Sequence, residues 1–372
     1  MRVPFLDLTA QYESIKEDID QAIAAVIAEN AFVRGRFVQE FEASYAEQYG
    51  IKHCIGVANG TDALFIVLKM LGIGPGDEVI TAANSWISSS EVITLAGATP
   101  VFVDIEEDYY NLDTARLEAK ITDRTRAIIP VHLYGQPAAI DTVMAIADNH
   151  GLAVLEDCAQ AHFSTLAGER VGTFGNAATF SFYPGKNLGA YGDAGCIVTN
   201  DDALAAAVRS FANHGSNPED KHQHIQEGIN SRLDGIQAAI LSAKLPHIQE
   251  WNQRRAHWGA RYTELLADVE EVVTPGIRPG ATHVFHIYCV RVPQREALQA
   301  FLADRGISTG IHYPTALPFL DAYEYLAPTE ADFPVAARFQ DEILSLPMFP
   351  ELTDEQVVHV ASSIREFYAP GS

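Results

Sequence analysis

The chain has 372 residues, 48% hydrophobic and 20% charged, with 49 acidic against 25 basic side chains and a net charge of −24. The length exceeds one ordinary core and predicts two domains, and the composition is that of a soluble globular protein. The negative charge opposes long-range attraction to nucleic acid or an anionic membrane surface, so an anionic substrate would need locally clustered arginines, lysines or helix N-termini. Cys54, Cys158, Cys196 and Cys289 lie far apart with no metal or redox spacing and read as free thiols in a reducing compartment. The opening MRVPFLDLTAQY has no apolar signal core, and no apolar run approaches the ~20 residues of a membrane span, which points to the cytoplasm.

Apolar positions Ile15, Ile19, Ile23, Val26 and Ile27 predict a helix over 14–30, and spacing resumes over 37–49 after Gly35. This N-terminal arm packs on its own chain or across a dimer; the pattern allows both. Strands are predicted at 54–58, 78–82, 100–104, 127–131, 152–155, 177–182 and 196–199. Between them fall helices at 63–71, 88–96, 114–121 and 141–150, the last with Asp141 as N-cap. Such alternation predicts a mostly parallel sheet with helices on both faces and ligands beyond the strand C-termini. Asn59-Gly60-Thr61, Trp86, His132, Asp157 and Lys186 all fall at those ends.

A helix over 202–211 leads to a His-rich polar stretch, then a helix from Asp234, a bend at Pro246 and a long helix over 247–267. A Pro/Gly-rich linker at 273–280 precedes a small α+β part. There the pattern predicts strands at 284–292 and 307–311 and helices at 294–305, 334–344 and 354–367. The expected division is 1–245 for the arm and a large domain, and 246–372 for a bridging helix and a small C-terminal domain.

The segment NAATFSFYPGKNLGAYGDAG carries the chemistry. A small-and-aromatic strand stops at Pro184-Gly185 and presents Lys186 at the mouth of the sheet. A lysine among apolar and aromatic neighbours loses hydration, its pKa falls, and the neutral amine can form a Schiff base. A solvated loop lysine is the plainer reading of any one lysine. A Schiff-base amine needs an electron sink, and pyridoxal phosphate is the usual one. That cofactor needs a phosphate site, which Gly60 and Thr61 at a helix start can supply, with Ser181 as a further donor. A simple helix cap is the alternative there. It needs an acid at its ring nitrogen, for which Asp157 follows the strand LAVLE; alternation turns Glu156 to the other face. It needs a flat group over its ring, for which Trp86, flanked by Ser85 and Ser88, competes with a core tryptophan. His214, His222 and His224 lack the carboxylate spacing of a metal site, and no metal is expected.

With these features, the stretches FLDL, ANGTDAL, LEDCAQAH, FSFYPGKNLGAYGDAG, NSRLDGIQAAIL, HYP at 312–314 and LSLPMFPEL resemble the DegT/DnrJ/EryC1/StrS family of sugar aminotransferases. The resemblance covers nearly the whole chain. It implies an α/β fold of the type-I aminotransferase class, with a large domain around a mostly parallel sheet and a smaller C-terminal α+β domain. It also implies pyridoxal 5′-phosphate as cofactor and a homodimer with shared active sites. Lys186 would carry the cofactor and shuttle protons, Asp157 would pair with the pyridinium nitrogen, and Gln160 would lie near the ring hydroxyl. Gly60, Thr61 and Ser181 would hold the phosphate, joined by Asn230 from the neighbouring subunit. Arg232 would hold an anionic substrate group, with Tyr183, His312 and Tyr313 lining the sugar pocket. In relatives the loop near 214–222 carries tyrosines; His214 and His222 take those places here.

The implied reaction moves an amino group from glutamate to a ketone on a nucleotide-linked sugar, with Lys186 as the proton carrier. The form PGKNLGA resembles the branch acting at C3, which gives a dTDP-3-keto-6-deoxyhexose as the expected acceptor. The alternatives are an aminocyclitol transaminase, a C4-specific enzyme and a regulatory homologue without turnover. A related dehydratase branch has histidine in place of the lysine, and Lys186 argues against it.

Overall fold

The computed structural model describes residues 1–217, 219–220 and 222–369. Seven strands form its main sheet: β1 (His53–Val57), β2 (Glu78–Ala82), β3 (Thr99–Val103), β4 (Thr125–Ile129), β5 (Ala153–Asp157), β6 (Ala177–Ser181) and β7 (Gly195–Thr199). Their order across the sheet is β1-β7-β6-β5-β4-β2-β3. Six strands run in one direction, and β7 runs antiparallel to its neighbours β1 and β6. The mostly parallel, helix-covered sheet expected from the alternation is therefore present, with one reversed strand inside it.

Several helices start where short polar side chains take up free N–H groups. Asn59 accepts from the Asp62 N–H to open Gly60–Met70, and Asp201 accepts from Ala203 and Leu204 to open Asp202–Phe211. Thr353 and Gln356 close a reciprocal capping box on Asp354–Tyr368. Asp141 is not a cap: helix Ile140–His150 begins one residue earlier, after Ala139, and places Asp141 inside its first turn.

The arm packs on its own chain. It divides at Ile15 into Leu8–Ser14 and Lys16–Glu29, because Asp7 caps a helix of its own. Ile19 and Val26 enter a core shared with Phe41, Tyr45, Ala239 and Ile240, while Ile27 is exposed. The stripe was thus one residue too wide.

Two small-domain expectations fail. Residues 307–311 form only isolated bridges, Val3 to Ile307 and Gly310 to Ser345. Helix Pro334–Glu342 stops early, and Ile343–Leu346 instead pairs antiparallel with Tyr288–Arg291. All four of its residues are buried, so the mostly apolar ILSL run fits a strand covered on both faces. Tyr262, Leu266, Tyr288, Leu298, Leu344, Val357 and Ile364 share a core that also takes in Val3.

Candidate active site

The small-and-aromatic alternation of β6 divides its two faces. Phe180 and Phe182 are fully buried against Tyr45, with ring centroids 5.5 Å away in each case. Ser181 faces the other way, toward the start of helix Gly60–Met70. A Cβ added at Gly60 would stand 2.8 Å from Ser181 Cβ. Thr61 Oγ1 lies 2.6 Å from Ser88 Oγ. Because Asn59 is the cap, Thr61 and Ser181 are not needed for one. The result is a cradle of backbone N–H groups and hydroxyls at a helix N-terminus, an arrangement that fits a phosphate.

His162 holds this cradle from behind. Its Nε2 donates to the Ser181 carbonyl at 3.0 Å, so its Nδ1 accepts from the Tyr45 hydroxyl at 3.0 Å. Burial, with some repulsion from Lys186, lowers the His162 pKa to about 3, and the ring stays neutral.

Lys186 follows one tight turn later, its N–H donating to the Tyr183 carbonyl at 2.8 Å. Burial lowers its pKa to about 8, and the charge of Asp157 opposes that shift. The same ammonium, after burial, helps depress His312 to about 4 and keeps His286 well below its ordinary value. The pair of lysine and acid expected from the sequence is therefore within electrostatic reach. A second lysine, Lys244, is also buried and lowered to about 8 by desolvation, but it serves the turn: its Nζ donates to Gly189 O at 2.8 Å and Gln11 Oε1 at 2.9 Å.

Asp157 closes β5 rather than following it. Alternation sends Glu156 to the opposite face, where it accepts from the N–H groups of Gly172, Phe174 and Gly175 at 2.7–2.9 Å and from His132 at 3.0 Å. His132 is fully buried in that network instead of lining the mouth of the sheet. With Cys158 these two bring ligand atoms within 4.8 Å of one another. His132 Nδ1 already accepts from the Ala138 N–H, so both ring nitrogens are engaged.

Gln160 is buried, accepting from the Tyr134 N–H at 2.7 Å and donating to the Tyr313 hydroxyl at 3.1 Å. Burial raises the Tyr313 pKa and keeps its phenol protonated. Trp86 is 56% exposed with its ring 5.5 Å from Tyr313, which rules out the core-tryptophan reading. His312 Nδ1 lies 2.9 Å from Ser345 Oγ. Tyr183 is exposed beside the lysine turn.

The contacts of Asn230, Arg232, His214 and His222 are with other residues. Arg232 donates to Asn213 at 3.2 Å and lines a cavity of about 330 Å³ with Arg34, Arg209 and Ser231. Asn230, His214 and His222 are exposed, and His224 bonds the His214 carbonyl at 2.8 Å. Asn230 and Ser231 do not cap the next helix, since Ser231 accepts from the Ala58 N–H at 3.1 Å. Sequence reasoning missed Ser89, which bonds Asp157, and His162; their signal was position inside SWISSSE and LEDCAQAH.

Residues 13–365 match the DegT/DnrJ/EryC1/StrS aminotransferase family. The chain belongs to that family. The family enzyme is a pyridoxal phosphate-dependent aminotransferase, and the cradle, the desolvated lysine and the facing acid fit that cofactor. The chain is 48% identical over 99% of both chains to the "pleiotropic regulatory protein" of Geobacillus stearothermophilus. It is 43% identical to a dTDP-3-amino-3,4,6-trideoxy-alpha-D-glucose transaminase of Streptomyces venezuelae, over 98% of this chain and 96% of that one. The crystal structure of S. venezuelae DesV in complex with a ketimine intermediate superposes with a TM-score of 0.97 at 43% identity, covering 100% of each chain. The α/β aminotransferase fold expected from the sequence is thus present. Among the described residues, no helix is long and apolar enough to cross a membrane.

In this DegT-family aminotransferase the backbone at Gly60 approaches Ser181 closely. Gly60→Ala puts a methyl group 2.8 Å from Ser181 Cβ and pushes the two walls of the cradle apart. The expected result is a cofactor affinity about tenfold weaker with helix content unchanged, read by cofactor titration and circular dichroism. Wild-type affinity in this variant overturns the assignment of the cradle.

Proposed function

We propose that this enzyme transfers an amino group from glutamate to a nucleotide-linked 3-keto-6-deoxyhexose, carried on dTDP. The observation that carries the reading is the full-length likeness to the S. venezuelae transaminase, together with the Lys186–Asp157 pair. Lys186 would hold the cofactor and take up and return a proton at its Nζ, a task suited to an amine lowered to about 8. Pyridoxal phosphate held there would supply an electron sink. Asp157 holds the ring nitrogen protonated, Gln160 and Trp86 fix the ring's place, and Gly60, Thr61 and Ser181 hold the phosphate. His312, Tyr313 and Tyr183 line the acceptor pocket.

In this reading the enzyme is a cytoplasmic homodimer, and the division into 1–245 and 246–372 separates the cofactor-binding part from the small domain. The exposure of Asn230 supports the dimer: its side chain is free to reach the other subunit's phosphate. Arg232, with His214 and His222 nearby in sequence, would serve the substrate from that second chain.

The test offers 3-keto and 4-keto nucleotide sugars side by side. A kcat/KM at least about tenfold higher for the 3-keto sugar is expected, and preference for the 4-keto sugar overturns the regiochemistry. A protein that acts only as a regulator would transfer no amino group to either.

A further inference from the structure

Asp157 is held by a chain of hydroxyls. Its Oδ2 accepts from Ser89 Oγ at 2.8 Å, and its Oδ1 accepts from the Ala159 N–H at 3.1 Å. Ser89 Oγ lies 2.8 Å from Ser85 Oγ. A serine hydroxyl has one proton to donate. Ser89 directs its proton to the carboxylate, so the proton between the two serines comes from Ser85. The order is fixed: Ser85 donates to Ser89, and Ser89 donates to Asp157. All three are sealed from water, at 3%, 1% and 5% exposure. Each link in such a chain polarises the next, and a bond to a carboxylate is the strong kind.

The torsion that turns a carboxylate about its Cβ–Cγ bond is broad when nothing holds it. A donor on each oxygen fixes that plane. We infer that Ser89, backed by Ser85, is a positioning residue that sets the Asp157 carboxylate against the cofactor's ring nitrogen. This rests on the reading that Asp157 faces that nitrogen. Ser85 ends the turn after β2 and Ser89 lies in the first turn of helix Ser88–Ala96, so the chain of hydroxyls ties that helix to the end of β5. Ser90, the next residue, is equally buried but donates to the Ile87 carbonyl and accepts from Tyr323, outside this chain.

The experiment uses the cofactor-loaded, full-length enzyme with S89A, S89T, S85A, S90A and Asp157→Ala. Two quantities are read: the pH midpoint of the visible absorption band, and the rate at which pyridoxamine phosphate leaves. A less well-held ring nitrogen makes a weaker electron acceptor, so S89A is expected to raise the midpoint by about one pH unit and to speed release about tenfold. S85A moves both in the same direction by less, S89T restores them, and S90A matches wild type. The release measurement is then repeated with an analogue carrying C–H in place of the ring nitrogen. There S89A and wild type are expected to release at one rate, because the serines act only through that nitrogen.

Equal acceleration with both cofactor forms would make Ser89 a fold contact and overturn the inference. Wild-type behaviour of S89A beside an altered Asp157→Ala overturns it alone. Wild-type behaviour of both variants overturns the Asp157 reading as well. If S89A does not load, S85A decides in the same terms.

Discussion

Lys186→Ala is expected to abolish the visible absorption band and lower amino transfer by roughly 10⁴-fold or more, because the amine proposed to carry both the cofactor and the proton is gone. Undiminished turnover in this variant refutes the assignment from its root. The same site predicts an opposite effect on stability. The Lys186 ammonium is lowered by burial from an ordinary 10.5 to about 8, so a charged lysine there is a cost to the cofactor-free fold. Below pH 8 the amine is protonated in both folded and unfolded chains, and the full penalty applies. Between pH 8 and 10.5 the unfolded chain binds more protons than the folded one, so wild-type stability rises with pH. Above 10.5 the penalty has vanished.

Lys186→Met in the cofactor-free protein is therefore expected to be about 1–2 kcal/mol more stable than wild type at pH 7, after allowance for the lysine's remaining solvent contact. That gain shrinks to nothing near pH 10.5. Urea unfolding at pH 7 and pH 10 measures it, and equal stability at pH 7 contradicts the burial argument. The site thus carries a charge that the fold alone disfavours, an expected mark of function.

The second large effect separates two neighbouring acids. Glu156→Gln presents an amide where one carboxylate oxygen accepted two N–H groups, so two donors among Gly172, Phe174, Gly175 and His132 lose their acceptor inside the core. The expected cost is about 3–5 kcal/mol of stability, seen as a lower urea midpoint. Asp157→Asn keeps the shape and most of the stability but loses the charge proposed to hold the ring nitrogen protonated, and turnover should fall about 10²- to 10⁴-fold. The two variants separate fold from chemistry. If Glu156→Gln is stable but inactive while Asp157→Asn is active, the two acids have been assigned the wrong way round.

Much of the molecule was legible along the chain. Strands β2, β6 and β7 and helices Ser88–Ala96 and Asp202–Phe211 fall within one residue of their expected places, because period-2 and period-3.6 patterns there are bounded by Gly, Pro or Asp. The failures share a cause. Ile343 and Leu344 read as the end of a helix because a short, mostly apolar run carries no clear period of its own, and only the facing strand Tyr288–Arg291 selects an extended backbone over Ile343–Leu346. Residues 307–311 read as a strand, but Val3 and Ser345 offer them single bridges instead of a ladder.

By itself, the sequence determined which side chains could do the chemistry. Lys186 after a broken strand, Asp157 and Glu156 on opposite faces, and Gly60 at a helix start all follow from local periodicity and turn residues. Only the tertiary structure decided what those residues do to one another. Whether Lys186 is desolvated, why His132 is a buried donor to Glu156, and which hydroxyls turn the Asp157 carboxylate depend on contacts between residues far apart in the chain. Hydrogen-bond direction and desolvation are properties of surroundings, and a linear pattern carries no record of which distant segments supply them.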